Sequence, residues 1–270
     1  MRWVRIARKD IRDAIRTRTL LIVVALFALI GGAMGYLSTT TGEPSTLAET
    51  LPLVAVGSMT LFVPIVALGV SYESIVGPRT SGALQFLLGL PYSRGDYALG
   101  TYVGRATIVA VGVLSAFVAL AVGAGVRGIV VSPSTTLLAC LLVVALGVVF
   151  VAIGLSISLS ARSTGAAGAL AFGAFLVLFF FWSSLPGAIA YLANGFSAPE
   201  TLPGWAPYVR SLNPVASVQL LLDYVAGPAT SAGGFVGVGV DSPTLAVAVV
   251  LGWMTVVPAV AFRRFRDDDL

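Results

Sequence analysis

Few side chains of this chain are suited to chemistry, and their pattern argues against catalysis by the chain alone. The sequence has no histidine, a single cysteine, Cys140, and a single lysine, Lys9, which Asp10 follows. Without imidazole, the chain lacks the commonest general base and a common zinc and haem ligand. A Walker A loop needs lysine followed by serine or threonine, so this chain cannot contain one. We expect no catalytic residue, metal site or cofactor site on this chain, and Cys140 to be a small packing residue.

The most informative segment lies between residues 72 and 105, where charged residues surround a short apolar turn. Glu73 and Arg79 precede an amphipathic piece over residues 81–89, and Pro91 ends that piece because proline cannot continue a helix. An apolar turn that is exposed to solvent needs a covering surface. That surface is the membrane, a partner protein or, as the plainer alternative, the chain's own helices. The residues expected to dock on it are Leu84, Phe86, Leu87 and Leu88.

The sequence around this segment is too apolar for a soluble domain. Hydrophobic residues make up 57% of the chain, charged residues make up 10%, and the mean hydropathy is +0.97. A soluble domain carries about 25% charged residues. Because lipid offers the backbone no hydrogen-bond partner, each long apolar stretch is predicted to be a helix. The sequence predicts an all-α membrane protein with one transmembrane domain over residues 1–270 and spans at about 19–37, 51–72, 100–126, 134–160, 166–193 and 243–262.

The basic residues predict the orientation of these six spans. Of the 16 Lys and Arg residues, seven precede the first span, three lie around the connection between the second and third spans, and three lie in the C-terminal tail. Arg162 falls in the turn after the fourth span, and only Arg127 and Arg210 lie on the other side. Positive charge marks the cytoplasmic side of short loops, so both termini are predicted to be cytoplasmic. Orientation also explains the net charge of +4 without a nucleic-acid partner.

Residues 2–18 are predicted to form a basic amphipathic helix that lies along the surface of the lipid bilayer. Apolar and basic residues recur there at helical spacing. A secretory signal is disfavoured because the apolar run that follows is long and five more spans come after it. The residues assigned to this membrane-surface helix are Trp3, Ile6, Arg8, Lys9, Ile11, Arg12 and Ile15.

The predicted spans carry little that could bind an ion or a proton. None of them has an acidic residue or a lysine near its middle, whereas ion-coupled carriers keep ionisable groups at depth. The motif Gly-x-x-x-Gly, which permits close helix contacts, occurs at Gly31–Gly35 and at Gly100–Gly104. With 30 glycines in the chain, chance explains most such matches, so this packing role stays open.

The external segment over residues 194–242 contains a further candidate element. Prolines interrupt its first part, and apolar residues then recur at helical spacing between Val215 and Val225. This spacing indicates a short helix. A plain external loop is the alternative.

Three motifs, taken in chain order, resemble those of the ABC type-2 permeases. The first comprises Glu73, the run Arg79-Thr-Ser-Gly-Ala-Leu-Gln-Phe-Leu-Leu, the run Pro91-Tyr-Ser-Arg94, and then Gly100 and Gly104. The opening IARKDIRDAIRTR is similar to the family's N-terminal helix, and SLNPVASVQLLLDYVAG (211–227) is similar to its external Asn-Pro-Val element. Each motif is moderately specific by itself, but the three in order with six spans cover the whole chain.

This resemblance implies the membrane subunit of an ATP-driven exporter, in a family that includes the permeases of nitrous-oxide-reductase maturation. It implies a homo- or heterodimer of permeases in the plasma membrane of a prokaryote, with separate ATPase subunits that bind ATP and magnesium. The segment matching residues 80–90 would be a coupling helix in a groove of the ATPase, and the N-terminal helix would be a second contact. The short helices after the fifth span would cap the pathway on the outside.

The resemblance also assigns roles to individual residues. Glu73 and Arg79 would orient the coupling helix by ion pairing, Gly82 would start it or allow backbones to approach closely, and Arg94 would anchor the loop. The residues implied in ATPase coupling are Glu73, Arg79, Gly82, Leu84, Phe86, Leu87, Leu88, Pro91 and Arg94. Those implied in the external cap are Asn213, Pro214, Leu221 and Leu222.

Two other functions stay open at this stage. A non-transporting membrane scaffold that recruits or stabilises a partner enzyme would need the same spans, and a channel for ions or small molecules is a weaker third candidate. The identity of the partner distinguishes them, because only the exporter requires an ATPase.

Overall fold

The computed structural model describes residues 2–38, 44–83, 93–198, 201–226 and 239–267. All regular secondary structure within these ranges is helical, which confirms the predicted all-α fold. The middle of the predicted coupling segment lies outside the described residues, and with it the predicted contact residues Leu84, Phe86, Leu87, Leu88 and Pro91.

Eleven α-helices lie in the described ranges, and we number them in chain order. The fifth span is continuous from α7 to α8 through a π-helical turn, Val177–Phe181, and a 3₁₀ turn, Trp182–Ser184. The helices are α1 (Arg2–Arg16), α2 (Thr19–Leu37), α3 (Pro44–Ser71), α4 (Val76–Thr80), α5 (Arg94–Val126), α6 (Pro133–Ser160), α7 (Thr164–Leu176), α8 (Leu185–Ala193), α9 (Ala206–Ser211), α10 (Pro214–Ala226) and α11 (Pro243–Asp267).

Six helical stretches in the described part of the chain are long and apolar enough to cross a membrane. Each of them overlaps one predicted span, so the predicted number and order of spans are confirmed. The stretches are Thr19–Leu37, Ser45–Thr80, Arg94–Val126, Pro133–Ser160, Thr164–Ala193 and Pro243–Phe265.

Two helices begin earlier than their apolar runs. Helix α3 begins at Pro44, and α5 begins at Arg94, six residues or more before the predicted starts of these spans. At the start of α5, Ser93 Oγ accepts a hydrogen bond from Asp96 N (3.0 Å), and Asp96 Oδ2 accepts one from Ser93 N (3.3 Å). This capping box satisfies N–H groups that would otherwise lack partners. It therefore extends α5 beyond the apolar stretch.

The second, third and fourth spans form the centre of the bundle. Half or more of the most apolar window is buried in each of them, and the share reaches 61% in α6, against 22% in the first, fifth and sixth spans. The core between them is filled by large apolar side chains that are fully buried, including Met59, Ile108, Leu120, Leu146 and Phe150. The first, fifth and sixth spans pack around this centre and leave most of their surface for lipid.

Glycine allows α2 to lie directly against the backbone of α5. A Cβ atom at Gly31 would overlap the carbonyl oxygen of Ala116, and a Cβ atom at Gly35 would overlap that of Leu120. On the other helix, a Cβ atom at Gly123 would come within 2.5 Å of the carbonyl oxygen of Gly32. Small residues at such positions permit the close backbone approach that stabilises helix pairs in membranes. Gly31–Gly35 is therefore a packing motif and not a chance match.

The second glycine motif has the same role against α1. A Cβ atom at Gly100 would lie 2.6 Å from the Cβ atom of Ile6, and one at Gly104 would lie 2.6 Å from Asp10 Oδ2. Helix α1 therefore packs closely along the first turns of α5.

We expect Gly31→Ala to destabilise the α2–α5 pair, because even one methyl group forces the two backbones apart. Overpacking of this kind costs about 1–3 kcal/mol, which should appear as a lower melting temperature of the detergent-solubilised protein. Gly69→Ala is the matched control, since Gly69 lies in α3 and a Cβ atom there would have no neighbour within 4 Å. Equal melting temperatures for the two variants would contradict the packing role of Gly31.

Candidate coupling site at the basic end of the bundle

One end of the bundle gathers α1, α4 and the C-terminal end of α11, and we call it the basic end. A buried apolar cluster, the basic-end cluster, joins these elements to α5 and α6. Its members are Ile6, Ile75, Tyr97, Ala98, Leu155, Leu159, Ala261 and Phe265. The cluster brings together the N-terminal helix, both helices that flank the coupling segment, and the last span.

The entry to the coupling segment is attached to α6 by one buried serine. Ser158 Oγ accepts hydrogen bonds from Ile75 N (2.9 Å) and Val76 N (3.0 Å), at the start of α4. The first N–H groups of a helix have no partner within the helix, so Ser158 caps α4 from a different helix. Tyr97 adds a long hydrogen bond from its hydroxyl to Ser74 O (3.4 Å). Helix α4 is thus fixed to the fourth span and to the start of the third.

Arg79 and Arg94, on the two sides of the coupling segment, meet the same aromatic ring. The guanidinium carbon lies 5.0 Å from the Phe265 ring centroid for Arg79 and 5.5 Å for Arg94. Arg94 Nη1 also donates a hydrogen bond to Phe265 O (2.9 Å). Among the described residues, Glu73 and Arg79 do not form the expected ion pair. Glu73 is exposed, and the guanidinium group of Arg79 lies over Phe265 instead.

Gly82 lies directly after the end of α4 and directly before Ala83, which is helical, so its position fits the expected start of the coupling helix. Its φ of +75° lies in the left-handed region, which glycine adopts without strain. Its N–H donates to Arg79 O (3.2 Å) just after the end of α4, as is common for glycine after a helix C-terminus. Among the described residues, a Cβ atom at this position would have no neighbour within 4 Å.

The apolar residues of α1 divide between two faces. Ile6 is buried in the basic-end cluster, so it faces the protein and not the bilayer. Trp3 and Ile11 are half-buried, whereas Ile15 is 58% exposed. The basic residues of the predicted surface helix, Arg8, Lys9 and Arg12, are all exposed. Helix α1 therefore packs one apolar stripe against α5. Its second apolar stripe and its cations are exposed and available to other partners.

An ion pair between Asp10 and Arg105 lies in the α1–α5 contact. Arg105 Nη2 lies 3.0 Å from Asp10 Oδ1, and both side chains are largely buried. Burial raises the pKa of the Asp10 carboxyl above its usual range, and the neighbouring Arg105 opposes the shift. Gly104 makes the pair possible, since a side chain there would collide with Asp10.

At the opposite end of the bundle, Asn213 joins two helices. Its Oδ1 accepts hydrogen bonds from Val215 N (2.8 Å) and Ala216 N (3.2 Å), so it caps α10, and its Nδ2 donates to Leu178 O (2.6 Å) in the π-helical turn. Pro214 follows as the first residue of α10, where proline is favoured. Leu222 is buried and Leu221 is half-buried. Residues 214–226 therefore form a helix packed into the bundle, and the plain-loop alternative is wrong.

Three further side chains attach this region to neighbouring spans. Trp182 Nε1 donates to Val209 O (2.8 Å), Arg210 Nε donates to Ser183 O (3.2 Å), and Trp253 Nε1 donates to Leu212 O (2.9 Å). Their partners are distant in sequence, and so, like Ser158 and Phe265, they carried no signal in the sequence.

The raised pKa of Asp10 predicts that attachment of α1 depends on pH. A carboxyl group whose pKa is higher in the folded than in the unfolded state stabilises the folded state at low pH. This stabilisation is complete below the ordinary pKa of 3.8, and it is lost as the pH rises through the raised pKa. We expect α1 amides to be less protected from hydrogen exchange at neutral than at acidic pH, after correction for intrinsic rates. Asp10→Asn should remove this dependence, and Asp13→Asn, at an exposed position of the same helix, should retain it.

Loss of the Asn213 donor should destabilise the external region. Asn213→Asp keeps the cap of α10 but places a buried carboxylate against Leu178 O, which costs on the order of 1–3 kcal/mol. We expect a lower melting temperature and faster hydrogen exchange in α10. The control is Asn194→Asp, because Asn194 is exposed and makes only a 3.4 Å contact with Ser197 O. An unchanged melting temperature for Asn213→Asp would show that the Leu178 bond contributes little.

Comparison with known proteins assigns the family. Residues 4–270 match the family model described as ABC-2 family transporter protein. The chain is 30% identical over 283 aligned residues to the "Probable ABC transporter permease protein NosY" of Stutzerimonas stutzeri, which covers 97% of this chain and 96% of that protein. A protein of the same name from Pseudomonas aeruginosa is 32% identical over 279 aligned residues, with the same coverage of both chains. The chain therefore belongs to the ABC-2 family of transporter proteins and is a multi-pass membrane subunit of an ABC transporter, in which ATP hydrolysis lies on a separate subunit.

Proposed function

We propose that this chain is the permease half of an ATP-driven exporter and works as a dimer with ATPase subunits docked at the basic end. The proposal places the chain in the plasma membrane of a prokaryote, with both termini in the cytoplasm. Its main support is the basic-end cluster, which unites both flanks of the coupling segment with α1 and α11. A movement imposed on the coupling segment would therefore reach several spans at once.

The distribution of cations supports this orientation. The two arginines at the opposite end serve local structure, since Arg127 donates a hydrogen bond to Ser38 O and Arg210 donates one to Ser183 O. The exposed cations of α1 lie at the basic end. Positive charge near short connections favours the cytoplasmic side.

The coupling segment would carry movement from the ATPase into the membrane. In this proposal Leu84, Phe86, Leu87, Leu88 and Pro91 occupy a groove of the ATPase, which binds ATP and magnesium. Ser158 ties the entry of the segment to the fourth span, and Arg94 ties its exit to the end of the sixth. Closure of the ATPase dimer would thus displace α6 and α11 relative to the remaining spans.

Helix α1 would make a second contact at the bilayer surface. Val4 is 38% exposed and Ile15 is 58% exposed on a helix that also exposes Arg8 and Arg12. Apolar side chains next to cations suit the boundary between acyl chains and headgroups. The α5 contact would keep this surface helix in register with the third span.

Helices α9 and α10 would close the pathway on the outside. Asn213 attaches them to the π-helical turn of the fifth span, and Trp253 attaches them to the sixth. π-Helical turns often occur at functional positions. A change in the relative position of these two spans would therefore move the external cap, which suits an exit gate.

The test is affinity purification of the chain from its native membrane, followed by mass spectrometry, for the wild type and for a variant with Leu84→Ser, Phe86→Ser and Leu87→Ser. We expect a Walker-type ATPase with the wild type and a loss of about tenfold or more with the variant, since apolar anchors in a docking groove are each worth about 2 kcal/mol. The control variant carries Leu192→Ser, Phe196→Ser and Leu202→Ser, three exposed positions at the opposite end. It should retain the ATPase.

Mass photometry of the same preparation would measure the number of permease and ATPase copies. Two of each are expected. Recovery of partner enzymes without any ATPase would overturn the exporter and favour the membrane scaffold.

A further inference from the structure

Phe265 lies where the two flanks of the coupling segment meet the last span. Arg79 belongs to α4, before the segment, and Arg94 is the first residue of α5, after it. Their guanidinium carbons lie 5.0 and 5.5 Å from the centroid of the Phe265 ring. The ring therefore holds the beginning and the end of the segment at one position of α11.

The ring itself is held rigidly. Phe265 is 1% exposed and packs in the basic-end cluster with Ile6 of α1, Ile75 before α4 and Leu159 of α6. A side chain with so many neighbours cannot follow one arginine without displacing the others. Its position is thus set by the packing of the bundle, so a displaced arginine would push on the whole cluster.

The electrostatics favour an aromatic residue here over an aliphatic one. Two guanidinium groups repel each other, but the faces of an aromatic ring are negative and attract cations. One ring can therefore hold two like charges close together, which a leucine of similar bulk cannot do. Arg94 also donates to the Phe265 carbonyl (2.9 Å), a group in the last helical turn that lacks a partner within the helix.

Helix α11 connects this ring to the other end of the bundle. Tyr102 of α5 donates to Met254 O of α11 (3.1 Å), and Trp253 of α11 donates to Leu212 O (2.9 Å) beside the external cap. The helix that receives both arginines at the basic end therefore also contacts the cap.

We propose that Phe265 is a positioning residue that sets the spacing between the two flanks of the coupling segment and passes the displacement of that segment to α11. This inference rests on the proposed function, because the displacement is the one that an ATPase would impose. The cation–ring contact, beyond the bulk of the side chain, carries the role.

The test replaces Phe265 by phenylalanine with one, two or three ring fluorines, which keeps the shape of the ring and progressively weakens the negative charge of its faces. Spin labels on Ser81→Cys, after α4, and Leu99→Cys, on α5, measure the spacing of the two flanks in a Cys140→Ala background. Ser81 and Leu99 are both exposed. The measurement is made on the full chain in lipid nanodiscs without any ATPase, so it does not depend on the proposed function.

We expect the distribution of distances between the labels to broaden stepwise, by about twofold with three fluorines. The same fluorines at Phe262 should leave the distribution unchanged. Phe262 is the control because its ring also lies against α5, with its Cζ 3.3 Å from where a Cβ atom at Gly95 would be. Phe265→Leu should broaden the distance distribution as much as the trifluorinated ring does. Adding Arg79→Gln to the trifluorinated protein should broaden the distribution little beyond trifluorination alone, since both changes remove the same contact. An unchanged distribution with three fluorines, or equal broadening from Phe262, would overturn the proposal.

A second arm tests the consequence for coupling. With the ATPase that co-purifies, we expect stimulation of ATP hydrolysis by the permease to fall about tenfold with three fluorines at Phe265 while the ATPase still binds. Full stimulation with a broadened distance distribution would overturn the role of Phe265 in transmission. Failure to find an ATPase would remove the proposed function, and the distance measurement would still decide whether Phe265 sets the spacing.

Discussion

The interior of a bilayer offers no hydrogen-bond partner to a polypeptide backbone, and this constraint governs the whole architecture. It requires helices across the membrane. At every helix end near the lipid, the backbone N–H and C=O groups that lack a partner within the helix must find one elsewhere in the chain. The solutions come from side chains of other helices. Ser158 caps α4, Asn213 caps α10 and binds the π-helical turn, and Arg94 binds the last turn of α11. Contacts that satisfy backbone groups thus also attach one span to another.

The two ends of the bundle solve this problem with different chemistry. At the basic end, arginines and an aromatic ring surround a buried apolar cluster, which leaves charge available for a partner or for headgroups. At the opposite end, Asn213, Trp182, Trp253 and Arg210 donate hydrogen bonds to carbonyl groups. The basic end therefore presents exposed charge, whereas the opposite end is held together by side-chain hydrogen bonds to carbonyl groups.

Between the ends, glycine decides how closely the spans pack. Helices α2 and α1 both approach the backbone of α5 where glycine leaves room for them. Helix α11 is different, because its contacts with α5 and the flanks of the coupling segment run through polar and aromatic side chains such as Tyr102 and Phe265. Backbone-to-backbone packing resists sliding, whereas side-chain contacts can be remade. Helices α1, α2 and α5 therefore pack closely as one unit, and α11 joins it through side chains.

Hydropathy was sufficient to predict the number and order of the spans, because burial in lipid acts on each stretch separately. The family motifs likewise are local. Helices α3 and α5 begin before their apolar runs, and at α5 the capping box between Ser93 and Asp96 adds polar residues that hydropathy excludes. Ile6 was assigned to the side of α1 that faces the bilayer, whereas it packs against the protein. Periodicity shows that a stripe is apolar, but it does not show which surface covers that stripe.

Tertiary structure alone decided which residues serve the candidate site. Arg94 and Phe265 are 171 residues apart, and Ser158 is 82 residues from its partner Val76. No spacing rule connects such positions, since their proximity depends on how six helices pack. The sequence by itself determined that this chain crosses a membrane as helices and which family it resembles. The packing of those helices, through glycine contacts and capped helix ends, determined that one phenylalanine of the last span lies between the two arginines that flank the coupling segment.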